Sequence, residues 1–374
     1  MYGVVNARLF NSCFGTYSNI IKLVKGEIIK IAFLMDVLII NMNMKTNRLV
    51  TENKLLDLLK YISTLMIIIS HCLPVFRSEL LNIFYGQWMF RFAVPLFFLS
   101  SGYYYTIFDD EMKKKYIVRI FSLYILSTII YAPLFLRDGV DFILKSIFFG
   151  YSHLWYLSAL VLGLCLMYVI EKLACFNKIY LCVSLLLILI GAFFDEYYKM
   201  FGMPCLDKAY ACLQFVGGVR HGIFFALPML MFGKFLAENK AKFLFNPKKS
   251  FVFVGIVSLL SLIEFCFLFS VIGINIKCDI TFFNWLPAIA LFVLTLNYCP
   301  KILHGVYTKP FRKMADVIYI IHMWIIAVVI KFFGLNYEIK CLVIILISVA
   351  VGYVYINVYN ESKKHRMNNK TNMH

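Results

Sequence analysis

The run LLDLLKYISTLMIIISHCLPVF, residues 55–76, decides the fold class. It is apolar almost throughout and long enough for one helix to cross a bilayer core, which takes about 20 residues. Asp57, Lys60 and His71 interrupt it. Lys60 stands eleven residues before His71, which on an α-helix is about 16 Å of rise and close to three whole turns. The two side chains therefore share one stripe, Lys60 near the start and His71 well along it. A cation and an imidazole are expensive to keep within a span, and such residues mark a functional site by default.

The rest of the chain extends that reading. Of its 374 residues 62% are hydrophobic and only 15% charged, with a mean hydropathy of +0.80. A soluble domain carries roughly 45–50% apolar and about 25% charged residues. The apolar surplus has no water-facing shell to sit beneath, so lipid is the solvent. The expected fold is all-α, a polytopic membrane bundle of about ten helices. Boundaries are expected near 56–76, 83–107, 117–136, 154–173, 179–194, 219–237, 250–273, 283–299, 315–334 and 341–359. A further apolar piece, 142–149, is too short to span and suits the interface.

A net charge of +17 raises nucleic acid as a partner, but the basic residues are spread over many loops with no basic domain. The excess of Lys and Arg on cytoplasmic loops explains them better. Lys45, Arg48 and Lys54 precede the first span. Lys113, Lys114, Lys115 and Arg119 follow the second, Lys240, Lys242, Lys248 and Lys249 the sixth, and Lys301, Lys309, Arg312 and Lys313 the eighth. Alternate loops are basic, which predicts both termini cytoplasmic and an even number of spans in a multi-pass plasma-membrane protein. Residues 1–53 form an expected cytoplasmic extension, 54–360 the membrane domain and 361–374 a basic tail. Residues 28–40 are apolar but hold Lys30 and Asp36, and no small-residue cleavage site follows. Translation is expected to start at Met42 or Met44. Eleven cysteines are scattered without a CxxC pair, and no metal-ligand spacing occurs. Cys205, Cys212 and Cys278 fall in loops expected outside the cell, where a disulfide and free thiols both fit.

Candidate chemistry lies in three further places. The second span opens WMFRFAVPLFFLSSGYYY, residues 88–105, with Arg91 inside it. An arginine at a helix centre costs about 2.5–3.5 kcal/mol on insertion scales, so Arg91 either snorkels to the interface or faces a polar cavity. Pro95 and the Ser101–Gly102 pair suit a cavity wall or a close helix contact. The fourth span opens HLWYL, residues 153–157. His153, Trp155 and Tyr156 suit an aromatic interfacial belt, or a wall on which sugar rings stack. The ninth span holds DVIYIIHMW, residues 316–324, where Tyr319 and His322 are neighbours on one helix face. They line a cavity, or His322 is a core histidine bonded to a carbonyl. Arg220 and His221 open the sixth span and are similarly ambiguous. Asp109, Asp110 and Glu111, and the pair Asp195–Glu196, suit solvated acidic clusters. P-loop, dinucleotide and GxSxG signatures do not occur.

At these residues the chain resembles the acyltransferase 3 family of integral membrane acyltransferases, from about residue 54 to 360. Asp57, Lys60 and His71 resemble the family's D-x-x-R-x10-H. Arg91, Pro95, Phe97, Phe98, Ser101 and Gly102 resemble its R-x3-P-x-F-F-x-x-S-G. The opening His153–Leu157, the Tyr319-x-x-His322 pattern and the segment RHGIFFALPMLMFG also look like family features. The chain departs from the pattern in carrying Lys60 for the usual arginine, which keeps the charge and loses the bidentate fork. Of the paired arginines entering the third span only Arg119 matches, with Lys115 or Tyr116 in the other place.

The resemblance implies transfer of an acyl group, usually acetyl, from acetyl-CoA or another acyl-CoA to a hydroxyl on a carbohydrate or lipid-linked glycan, with no metal. His71 would act as general base or as an acyl-accepting nucleophile, and Arg91 would stabilise the oxyanion or orient His71. Lys60, Lys115 and Arg119 would hold the donor, and His153, Trp155, Tyr319 and His322 the acceptor. The rival readings are a carrier or flippase for a lipid-linked sugar, and a membrane ligand sensor. The family's membrane part also occurs joined to other catalytic domains, of which the sequence shows none.

Overall fold

The structure is a computed structural model that describes residues 53–136, 138–173, 179–215, 217–332 and 336–371. The expectations for residues 28–40, for Met42 and Met44 and for the basic residues before 53 lie outside the described residues. All regular elements described are helical, and six helical stretches are long and apolar enough to cross a membrane.

Helix α1, Lys54–Cys72, starts where Asn53 caps it, its side-chain oxygen accepting from Leu56 N at 3.0 Å. It ends one residue before the Leu73–Pro74 pair, four residues earlier than the apolar run suggests, because the residue before a proline is turned away from helical dihedrals. The short α2, Glu79–Phe84, leads into a π-helical turn, Tyr85–Met89, and α3 follows as Ala93–Ile107. The expected single second span is thus broken around residues 90–92. Arg91 sits in that break and Pro95 in the first turn of α3, where a missing N–H costs nothing. Helix α4, Asp110–Tyr131, begins seven residues before the expected boundary. Asp109 caps it, accepting from Met112 N at 2.8 Å, and Asp110 and Glu111 follow in the first turn.

The short apolar piece is α5, Val140–Phe149, and α6 is Trp155–Lys172. Helix α7 is Tyr180–Asp195, and the loop after it holds an unanticipated helix, α8, Pro204–Phe215. A second π-helical turn, Gly222–Ala226, leads into α9, Leu227–Glu238. Helices α10, Pro247–Ile272, α11, Leu286–Asn297, α12, Lys309–Phe332, and α13, Tyr337–Thr371, complete the bundle.

Two large packing units make up most of the core. In the larger, α3 and α9 touch backbone to backbone. A Cβ at Gly102 would stand 2.1 Å from the Leu230 carbonyl oxygen, and one at Gly233 2.2 Å from that of Leu99. Without a hydrophobic drive between helices in lipid, such small-residue contacts supply the attraction. Leu96, Leu99, Leu164, Met229 and Phe292 fill the space around them. In the smaller unit Ile68 of α1 packs against Ile318, Ile321 and Ile325 of α12. The first turns are tied too, Thr308 Oγ1 donating to Asp57 at 3.0 Å and Tyr61 lying 5.4 Å from Phe311. α1 and α12 therefore run parallel and in register, which sets Lys60 beside Arg312 and Asp316, and His71 beside His322.

Candidate active site

His71 has protein on every side, yet its ring is exposed to a water-sized probe. Asp316, on α12, shares both properties. A side chain so placed lines an internal space rather than the outer surface. Polar residues of α1, α3, α4, α6 and α12 gather around these two side chains.

Toward the basic end of the bundle, Lys60, Arg119 and Arg312 are the cations around Asp316. Lys60 Nζ stands 5.6 Å from the Tyr104 ring, and Tyr116 and Tyr156 converge on Ser101. Tyr104 also lines a cavity of about 790 Å³ that opens between the start of α1 and the ends of α3, α9 and α11, with Asn53, Lys54, Lys240 and Thr295 in its wall. That volume falls in the range of ligand sites, about 300–1,000 Å³.

Farther along, the space is walled by rings. His71 and His322 have ring centroids 5.4 Å apart, and His322 and His153 4.7 Å. Tyr131 lies 4.9 Å from His153, and Tyr319 5.4 Å from both His153 and Tyr156. His322 Nδ1 is 2.7 Å from the Tyr319 carbonyl, and the Tyr319 hydroxyl donates to the His153 carbonyl. Ser152, just before His153, adopts a left-handed φ of 50°. Non-glycine residues rarely hold that conformation, and it collects at functional sites. Here it marks the turn from which His153 enters the interior.

At the far end Arg91 donates to Asp279 and to Gln87, and Arg220 NH1 donates to the other Asp279 oxygen at 3.2 Å. Arg220 also lies over Trp155, 5.3 Å from its ring. Burial pushes the Asp279 carboxyl up, but Arg91, Arg220 and Lys277 together hold it below its ordinary value. Its loop is anchored from two sides. Asp195 accepts from Ile280 N at 2.9 Å, and Glu264 of α10 accepts from the Phe282 and Phe283 amides, the Thr281 hydroxyl and the Tyr197 hydroxyl.

Lys60 and Arg119 thus gather around Asp316, and His322 stands beside His71 with Tyr319 next to it, the His322 ring fully buried. Lys115 is not among them, because it pairs with Glu111 on an exposed face of α4. His153 is not part of an outer wall but enclosed, 2% exposed, and the Trp155 ring is covered by Arg220 rather than open for stacking. Arg91 does not point freely at His71; it is one arm of the Asp279 bridge, although its charge and that of Arg220 are felt at His71. Asp195 and Glu196 are buried rather than solvated. Burial raises the Glu196 carboxyl, and Lys199 at 2.6 Å pulls it back. Asp109, Asp110 and Glu111 do lie at the surface, Asp110 pairing with Lys114 and Lys172. Cys205, Cys212 and Cys278 are free thiols. Among the described residues no cluster of His, Cys, Asp and Glu is arranged to hold a metal.

Arg312, Asp316, Asp279 and Glu264 escaped the sequence reading. The signal for Glu264 was present: it is the one acid inside the apolar stretch SLLSLIEFCFLFS, residues 258–270, and isolated acids in spans are functional or structural anchors. Asp316 stands next to an apolar run for the same reason.

A family model described as "Acyltransferase domain" matches residues 53–357. The chain is 27% identical over 301 residues to an amino-acid racemase of Enterococcus faecalis, covering 73% of this chain and 41% of that protein. To a serine/alanine racemase of Enterococcus gallinarum it is 26% identical over 303 residues, covering 74% and 41%. A second Enterococcus faecalis amino-acid racemase is 29% identical over 213 residues, 53% of this chain and 29% of that protein. The chain spans less than half the length of these curated relatives. No solved structure matches it.

Proposed function

The chain belongs to the family of that acyltransferase domain, and from that premise we propose that it transfers an acyl group, acetyl first among candidates, from acyl-CoA to a hydroxyl of a cell-envelope or extracellular carbohydrate. One observation carries the reading. An accessible imidazole, His71, stands in an enclosed space with cations toward both ends: Lys60, Arg119 and Arg312 on one side, Arg91 and Arg220 on the other. A thioester bound through its phosphates at the basic end has its acyl carbon drawn toward His71, and an alcohol meets it from the far end.

The excess of basic loops at the Lys54 end supports placing that end in the cytoplasm, where acyl-CoA is found, and so supports the plasma membrane as the location. The cavity beside Lys54 and Lys240 supports donor entry there. His71, a group whose ordinary pKa is near neutrality, takes the hydroxyl proton as the oxygen attacks the acyl carbon. The C–O bond forms, the C–S bond breaks, and the thiolate leaves with the proton returned from His71. Arg91 and Arg220 add positive potential for the developing oxyanion.

The racemase names belong to proteins more than twice as long as the stretch matched. They add free amino acids to the acceptors worth testing. In the test, membranes carrying the wild-type chain or His71→Ala receive acyl-labelled CoA thioester, and glycan and amino-acid fractions are read by mass spectrometry. The wild type adds the acyl mass to one acceptor class and His71→Ala adds none at equal protein level. Undiminished transfer by His71→Ala removes the assignment, and movement of unmodified sugar across the membrane without acyl transfer favours a carrier.

A further inference from the structure

His322 of α12 has none of its surface accessible. Its Nδ1 faces two backbone carbonyls, Tyr319 at 2.7 Å and Ile318 at 3.3 Å. A carbonyl offers only lone pairs, so Nδ1 carries the hydrogen and Nε2 is left as an acceptor. No donor reaches Nε2 among the described residues. Buried polar atoms without partners are few in native structures, and each calls for an explanation.

The surroundings narrow it. Around His71 stand Arg91 and Arg220, which only donate, and the rings of His322 and, behind it, His153. The Tyr319 hydroxyl is committed to the His153 carbonyl. His322 Nε2 is thus a fixed acceptor between His71, its ring plane tilted by 39°, and His153, whose two ring nitrogens are likewise buried without a partner among the described residues; of the two, only His71 is open to the cavity. Catalytic hydrogen bonds are often long until substrate closes the site.

We propose that His322 is the positioning residue of His71: its Nε2 accepts the hydrogen of one His71 nitrogen directly, and so leaves the other His71 nitrogen as the base that faces the cavity. The chemistry rests on the acyl-transfer reading, whereas the pairing rests on geometry alone. When the acceptor oxygen bonds to the acyl carbon, its proton goes to the cavity-facing nitrogen of His71. The hydrogen on the opposite nitrogen passes toward His322 Nε2, and the charge spreads over two rings, with the Tyr319 and Ile318 carbonyls holding the far N–H. As the C–S bond breaks, the thiolate sulfur takes the proton from His71 and both rings return to their starting tautomers. The carbonyl-bonded histidine is then the counterpart of the third member that orients the base in a catalytic triad.

The test uses the full chain in lipid nanodiscs and diethyl pyrocarbonate, a small neutral reagent that acylates neutral imidazole. Peptide mass spectrometry follows labelling of His71 at pH 8, with the exposed His304 as internal standard, in wild type, His322→Gln and His322→Leu. Gln places an acceptor near the Nε2 position, and Leu fills the volume without one. His71 labelling is expected to slow at least fivefold in His322→Leu and to stay within twofold of wild type in His322→Gln, with His304 unchanged. Equal labelling in all three, or equal slowing in both variants, overturns the proposal. Should His322→Leu fail to fold, His322→Met takes its place with the same expectations. In transfer assays His322→Leu should lower kcat a hundredfold with the KM for acyl-CoA within twofold, and a change confined to KM overturns it as well. Labelling reports on the pair even if the reaction proves not to be acyl transfer, so the two failures are told apart.

Discussion

Arg91 and Asp279 form an ion pair although 188 residues separate them in the chain. The pair joins the break before α3 to the loop between α10 and α11, and Arg220 completes it on the other carboxylate oxygen. Removing the carboxylate leaves two guanidiniums facing each other near His71. Asp279→Asn is expected to cost about 2 kcal/mol of stability, since both partners are more buried than exposed and truncating one partner of a buried pair costs up to about 3–5 kcal/mol. Transfer should fall at least tenfold. Thermal unfolding of Asp279→Asn, Arg91→Gln and the double variant isolates the pair energy; additive losses would show the two residues to be independent.

The same carboxylate predicts a pH dependence. Its pKa is lowered in the folded chain, so the unfolded chain binds the proton more readily. Its contribution is then complete above the unfolded value, about 3.9, and is lost as pH falls through the lower folded value. The stability gap between wild type and Asp279→Asn should be constant at neutral pH and close as the pH falls below that unfolded value. Unfolding midpoints of both proteins between neutrality and acid check it, and a gap that widens in acid contradicts the lowered pKa.

How much of this was legible in the sequence depended on distance along the chain. Lys60 and His71 share a helix, so eleven-residue spacing alone placed them on one stripe. Tyr319 and His322 were legible for the same reason, one turn of one helix. Arg312 lies among basic residues that read as charge asymmetry, although it stands one turn before Asp316 on α12, and the register of α1 on α12 brings Lys60 to both. Asp279 lay in a loop with nothing local to mark it, and its partners come from two distant breaks. The fold class followed from hydropathy, whereas the broken entries to α3 and α9 did not. A π-helical turn changes the hydrogen-bond offset by one residue without changing the apolar composition.

Gly102 and Gly255 give a matched test of helix contact. A Cβ at Gly102 meets Leu230 backbone atoms, and one at Gly255 meets nothing within 4 Å. Gly102→Ala should push α3 from α9 and destabilise by about 1–3 kcal/mol, the usual cost of overpacking. Gly255→Ala, in the interior of α10, should stabilise by about 0.5–1 kcal/mol through lower chain entropy. Thermal unfolding in detergent reads both, and a neutral Gly102→Ala would mean that the two helices are not in backbone contact.

Lys60 and Lys115 separate interior from surface. Lys115 is 53% exposed and paired with Glu111 one turn away, an arrangement worth about 0–1 kcal/mol at most. Lys115→Met should leave donor KM and stability unchanged. Lys60→Met removes a cation from the group around Asp316 and should raise the KM for acyl-CoA tenfold or more with the chain still folded. Equal effects of the two substitutions would show that donor phosphates are met at the surface of α4.

Glu264 offers the most demanding check because it touches none of the proposed chemistry. It sits in the apolar α10, buried, and accepts four hydrogen bonds that fix residues 281–283 and Tyr197. Hydrogen bonds to a charged group contribute about 1.5–3 kcal/mol each when a partner is lost, though not additively. Glu264→Ala should therefore destabilise by more than about 3 kcal/mol and release the loop that carries Asp279. Glu264→Gln keeps one acceptor oxygen and should recover part of the stability, with a larger remaining loss in transfer than in folding, because Asp279 no longer holds Arg91 and Arg220 in place. Hydrogen exchange at Ile280, Phe282 and Phe283 measures the loop directly. Protection unchanged in Glu264→Gln, together with reduced transfer, would show that Glu264 acts on the reaction by a route other than the Asp279 loop.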